Sequence, residues 1–185
     1  MPILDSLSFD AAIAYARNNN IHTIYVPQGW YYLPNYTITI EEGDFNLVGE
    51  NTGVYLVSTG LTGNASFITI DAIDSLQHYA GTGALLKNIN LMGNYYTNTF
   101  NPLSLGVTGI TLFGANYPHH RSVENIGVMF FATGMYINSA VEVHIINAAI
   151  IFNNTGIKFL AIATTYIPDP LWIENSEIGG NACGI

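Results

Sequence analysis

One cysteine, four basic residues and no unbroken apolar span: each scarcity in this 185-residue chain removes a class of protein. Cys183 cannot close a disulfide within the chain, and the core is its expected place. The four basic residues, Arg17, Lys87, Arg121 and Lys158, stand against thirteen acidic ones, for a formal net charge of −9. A groove for DNA or RNA needs clustered Lys and Arg to displace counterions, so no nucleic acid is expected as a partner. The most apolar stretch, 135–152, is interrupted by Asn138, Glu142, His144 and Asn147, which predicts no membrane insertion. No basic-then-apolar leader opens the sequence, so a secretion signal is not expected. Walker motifs, zinc spacings, nucleophile elbows and dinucleotide fingerprints are all missing, and neither a cofactor nor a metal is expected. Adjacent His119 and His120 on a strand would point to opposite faces, which argues against a shared metal. Asp71 and Asp74 read as loop residues and make only a weak calcium candidate. Three N-glycosylation sequons, at Asn35, Asn64 and Asn153, carry no weight in a chain so rich in Asn and Thr.

What is present is a repeat. Val123 to Val128 followed by Gly134, Ile145 to Ile150 followed by Gly156, and Ile173 to Ile178 followed by Gly184 superimpose without a gap. In each, an Asn (Asn125, Asn147, Asn175) precedes the Gly by nine residues, and the Asn positions step by 22 and then 28. The extra six match a Pro-containing insert around Ala163 to Pro170. Periods of this size made of short β-branched strands point to a stacked solenoid, in which no repeat buries its apolar side alone. With 49% hydrophobic and 9% charged residues, the chain has the apolar content to fill such a stack and is not disordered.

Toward the N-terminus the pattern changes. Ser8 is expected to cap a helix that buries Phe9, Ala12, Ile13 and Ala16 and ends at Asn18 to Asn20. Strands are expected at 22–26, 30–33, 36–40, 45–48 and 53–57. A helix at the start of a stack of strands serves as a lid over backbone edges. Leu86 to Leu91 repeats the Asn half of the motif through Asn88, and Thr108 to Leu112 repeats the Gly half through Gly109. Asn88 lies 37 residues before Asn125, and the surplus falls mainly in the Tyr-, Asn- and Thr-rich segment 94–105. Inserts of that kind project from one side of a solenoid and commonly carry its function.

Phe9 to Ala16 followed by Thr23 to Leu33, with Pro27, Gln28 and Gly29 at the turn, resembles the opening of right-handed parallel β-helix proteins of the pectate-lyase-like superfamily, and within it most of all bacteriophage tailspikes and their capsule-degrading relatives. The repeats extend the likeness from Asp10 to Ile185. It implies an all-β fold: a capping helix over 1–20, then a right-handed parallel β-helix over 21–185. Two departures stand out. The acidic, Gly-rich stretch that commonly precedes the helix in relatives is missing, and the sequence stops inside a coil at Gly184 and Ile185, so a piece of a longer spike is expected. The resemblance further implies a homotrimer on a virion tail, acting at the bacterial surface on capsule or O-antigen polysaccharide. Low charge, positive mean hydropathy and twelve tyrosines agree with an outer surface buried against sister chains.

In such a helix equivalent residues stack about 4.8 Å apart. Asn88, Asn125, Asn147 and Asn175 are then expected to form an amide ladder inside a turn. Gly109, Gly134, Gly156 and Gly184 read as turn residues needing unusual φ or tight packing. Val123, Val128, Ile137, Ile145, Ile150, Ile157, Phe159, Ile173 and Ile178 are expected to face inward. The outward positions make a grid: His120, Ser122 and Glu124; Glu142, His144 and Ile146; Pro170, Trp172 and Glu174. Glu124, Glu142 and Glu174 are the candidate catalytic acids, since inverting glycosidases hold two carboxyls about 6.5 to 9.5 Å apart. Trp172, with Tyr95 and Tyr96 from the 94–105 insert, offers aromatic plates for sugar rings. His120, Arg121 and His144 complete the candidate substrate contacts. Each of these side chains also has a bland reading as solvated outer face. Two alternatives stay open: a binding or structural module without chemistry, and a lyase that uses a basic residue beside a uronate.

Overall fold

The protein is described from a computed structural model covering residues 5–41, 45–71, 85–93, 106–113, 121–138, 143–160 and 171–185. Helix α1 (Asp5–Asn18) is followed by five windings of three strands and the start of a sixth. The windings are β1 (Thr23–Val26), β2 (Gly29–Pro34) and β3 (Ile38–Glu41); β4 (Asn46–Gly49), β5 (Val54–Thr59) and β6 (Ser66–Asp71); β7 (Leu85–Lys87), β8 (Asn90–Met92) and β9 (Thr108–Phe113); β10 (Arg121–Glu124), β11 (Gly127–Met129) and β12 (Thr133–Asn138); β13 (Val143–Ile146), β14 (Ala149–Ile151) and β15 (Thr155–Leu160); then β16 (Trp172–Glu174). First strands pair only with first strands, second with second and third with third, always parallel. The result is three stacked sheets, here A, B and C, wound as a right-handed parallel β-helix, the fold class expected from the repeats.

Alternation along each strand fills the interior. Leu47, Leu86, Val123 and Ile145 line sheet A; Leu56, Leu91, Val128 and Ile150 line sheet B; Ile40, Ile70, Leu112 and Ile137 line sheet C, all fully or almost fully buried. Each such side chain contributes about 1.5–3 kcal/mol. Ile173 and Ile178 pack partly against this core, as expected. Phe159 differs: it is in register with buried Ile137 yet 39% exposed. The bridge between Thr155 and Cys183 sets Ile157 opposite Ile185, so Phe159 lies past the last register partner in this sequence. Cys183 likewise sits on this outermost winding, exposed rather than in the core.

The corner between sheets A and B is built from left-handed residues. Asn88, Asn125, Asn147 and Asn175 all have positive φ, from +47° to +58°, a region that Asn tolerates better than most side chains. The amide ladder forms only in part. Asn125 Nδ2 donates to Asn88 Oδ1 at 3.1 Å and Asn88 Nδ2 to the Gly49 carbonyl at 3.3 Å, whereas Asn147 and Asn175 are exposed. The shared cause of the repeated Asn is therefore backbone shape, with the amide bond as an addition. A second amide ladder, not foreseen, runs at the B–C corner. Buried Asn153 accepts from the Phe131 amide and donates to the carbonyls of Val128 and Ile151, and Asn181 continues it to Ile150. Of the motif glycines, Gly109, Gly134 and Gly156 are needed for tight packing, not for φ. A Cβ on Gly134 would meet the Gly156 carbonyl at 2.7 Å.

Helix α1 begins three residues before Ser8, which therefore lies within it and caps nothing. Its end is a Schellman motif: Asn20 takes φ +54° and the Ile21 amide reaches back to the Ala16 carbonyl at 2.9 Å. Phe9, Ile13 and Ala16 are buried, and Phe9 meets Tyr31 edge-on at 5.9 Å. Tyr36 donates its hydroxyl to Asp10 at 2.6 Å, tying helix to first winding. Burial, with that acceptor beside it, pushes the Tyr36 phenol well above its ordinary value. Asp71 ends strand β6 opposite Glu41 rather than lying in a loop, and Asp74 falls outside the described residues. Among the described residues no three His, Cys, Asp or Glu side chains gather as a metal site would require, and no helix is long and apolar enough to cross a membrane.

Candidate functional site

Sheet A turns two rows of side chains outward at the grid positions. Ser122, His144 and Trp172 are register partners across β10, β13 and β16. Two residues on, the position before each corner Asn gives Lys87, Glu124, Ile146 and Glu174, again in register. The turns at Asn88, Asn125, Asn147 and Asn175 fix where β7, β10, β13 and β16 end, so these rows cannot slip by one residue without carrying the core to the surface.

At the outer strand, the His144 imidazole and the Trp172 indole stack with centroids 5.9 Å apart and planes inclined by 17°. Trp172 is 48% exposed, so about half of its surface remains to solvent beside that stack. Glu174 follows two residues later on the same face. Its backbone carbonyl accepts from the Asn147 amide and the Ser176 hydroxyl, which anchors the strand, while among the described residues nothing engages its carboxylate. The grouping is a flat apolar plate beside an exposed acceptor, suited to a ring with one apolar face and hydroxyls at its edge.

Glu124 is differently placed. Its carboxylate accepts from Lys87 Nζ at 2.8 Å, with both side chains partly exposed. Lys87 lies on the β7 side of β10, and Glu174 lies two strands away on the other side, about 10 Å along the sheet. The ion pair therefore draws Glu124 away from Glu174, with Ile146 between them. Hydrolysis by these two carboxylates would require Glu124 to leave Lys87. This pairing is legible in the repeat, because Lys87 precedes Asn88 as Glu124 precedes Asn125. Arg121 begins β10 opposite Val143. Glu142, His120, Tyr95 and Tyr96 lie outside the described residues.

A stacked pair on sheet B was not anticipated. Trp30 on β2 and Tyr55 on β5 are register partners with centroids 4.3 Å apart and planes within 11° of parallel. Both fall within the strands expected at 30–33 and 53–57, and the outward parity of Trp30 follows from the buried position of Leu33 three residues on.

Comparison with protein-family models finds no match, and neither the curated proteins nor the solved structures return one.

Proposed function

We propose that this chain recognises a bacterial surface polysaccharide, capsule or O-antigen, on the outer face of sheet A, as a β-helix of the phage tailspike type. The observation that carries this reading is the in-register His144–Trp172 stack, with Trp172 half exposed and exposed Glu174 two residues on along the same side of the strand. Sugar rings stack on such plates while an adjacent carboxylate accepts hydrogen bonds from their hydroxyls. The homotrimer and the virion tail at the host surface belong to the same proposal, resting on the opening motif and repeats. The chemistry attached to it is glycoside hydrolysis by carboxylates among Glu124, Glu142 and Glu174, one giving a proton to the leaving oxygen and another activating water.

The Lys87–Glu124 ion pair favours a second reading, binding without cleavage, because it holds one candidate acid away from the other. Release of reducing ends from capsule and O-antigen preparations, measured for the protein and for E124Q, E142Q and E174Q, separates the two. Hydrolysis predicts loss of at least a hundredfold in one of the three variants. Retention of polymer with no reducing ends from any preparation supports the binding module, and ultraviolet-absorbing unsaturated products would establish a lyase instead.

A further inference from the structure

Both tryptophans of the chain avoid the core. Each stands half exposed on the outer face of an edge strand, Trp172 on β16 of sheet A and Trp30 on β2 of sheet B, and each stacks in register on a ring of the neighbouring strand. Large exposed aromatic area is seldom left without a partner. We propose that Trp30 and Tyr55 form a second glycan-binding plate, on sheet B, that takes neutral sugar rings.

The plate is held stiffly before any ligand arrives. Strand β2 pairs with β5 over its whole length, Gly29 to Pro34 against Val54 to Thr59. On the inner side of the same strand, Tyr31 donates its hydroxyl to the Pro27 carbonyl and packs against Phe9. A surface already fixed in its binding form loses little entropy on binding. Amides rim it. Asn90 is the next register partner after Tyr55 and is oriented by donating to the Thr52 and Val54 carbonyls; Asn51 donates to Gln28 Oε1 at 3.1 Å. These bonds occupy both Asn90 donors and, among the described residues, leave the Asn90 Oδ1 acceptor and the Gln28 Nε2 donor for sugar hydroxyls.

The charge distribution selects the class of sugar. None of the four basic residues lies on sheet B: Arg17 is in α1, Lys87 and Arg121 are on sheet A, and Lys158 is on sheet C. A uronate or sialate carboxylate on the Trp30 plate would find no cation there and would approach a chain of net charge −9. This site stands independently of the sheet A reading.

The two-tryptophan composition makes the test direct. W172F leaves Trp30 as the sole indole, and its emission is followed while dextran, mannan, galactan and polygalacturonate are titrated in. The proposal predicts a saturable emission shift with at least one neutral polymer and none with polygalacturonate. It also predicts at least tenfold weaker binding of that polymer after Y55A in the same background, with unchanged far-ultraviolet dichroism. Retarded migration of the wild-type protein in gels containing the same neutral polymer, diminished in W30A, would support it by a second route. No emission change with any neutral polymer overturns it, as does an equal response to polygalacturonate. An emission change with protein concentration alone, without glycan, also overturns it, because a second copy of the chain then covers the plate.

Discussion

The A–B and C–A corners of the helix are built on opposite principles. Between sheets A and B, four of the five connections consist of two residues (27–28, 88–89, 125–126 and 147–148), three of these carry the left-handed Asn, and the fifth, 50–53, has four residues. Between sheets C and A, the connections run 42–45, 72–84, 114–120, 139–142 and 161–171, so length varies freely while the strands on either side remain in register. One corner sets the pitch of the solenoid; the other absorbs sequence change. Sheet A begins at the variable corner and ends at the fixed one, which puts its outward rows on a rigid wall bordered by changeable segments. Recognition sites on repeat proteins commonly have that arrangement.

The difference can be broken by length. Inserting Gly-Ser-Gly between Asn125 and Gly127 should abolish cooperative unfolding, because Ile126 is buried and both flanking strands would leave register. The same insertion between residues 139 and 142 should cost only about 0.6 kcal/mol, the price of a modestly longer loop. Thermal denaturation of the two variants measures the contrast, and equal losses would remove it. Steric pressure at the fixed corner comes next. A Cβ on Gly49 would lie 2.1 Å from the Asn88 carbonyl, so G49A is expected to lose about 3 kcal/mol by denaturant titration.

Backbone shape and amide bonding can then be separated. N125A loses both the tolerance for φ +50° and the bond to Asn88 and should cost about 2 kcal/mol, whereas N125G, which loses only the bond, should cost about 1 kcal/mol. At exposed Asn147, N147G should be nearly neutral. A cost at Asn147 equal to that at Asn125 would show that the amide, not the left-handed turn, is the common element.

A smaller effect tests the lid. Y36F removes a hydrogen bond to Asp10 and should cost about 1 kcal/mol at neutral pH. The folded-state phenol is raised, so the folded protein holds that proton where the unfolded chain has released it. The stabilisation is therefore complete below about pH 10, the ordinary tyrosine value, and is lost as pH rises beyond it. Stability measured from pH 8 to 11 should fall more steeply for the wild type than for Y36F, and parallel curves would contradict the pairing.

The fixed corner is also what the sequence discloses. An Asn repeats at the A–B turns from Asn88 onward because each of those windings turns through the same left-handed residue, and counting back from it yields the register of Ser122, His144 and Trp172 without a structure. The first five strands are equally legible from β-branched alternation between Pro, Gly and Asn. Three features escaped for physical reasons. Ser8 looks like a cap, but the helix extends back to Asp5. The Asn153 ladder is hidden because a buried, fully bonded amide resembles any Asn-Asn-Thr surface turn. Phe159 has the parity of a core residue, and parity says nothing of whether another winding covers it. The candidate acids are marked by type and face, and the cation that occupies Glu124 by the same count, since Lys87 holds the position before Asn88 that Glu124 holds before Asn125.

The claim that the outer wall of sheet A receives glycan rests most directly on Trp172. Affinity electrophoresis in gels containing capsule or O-antigen preparations, comparing wild type with W172A and with the outward control S122A, measures it. The account predicts that a polymer retarding the wild type releases W172A, with dissociation constants at least tenfold apart, while S122A shifts by less than threefold. Wild-type retardation by W172A in every gel that retains the wild type would contradict it.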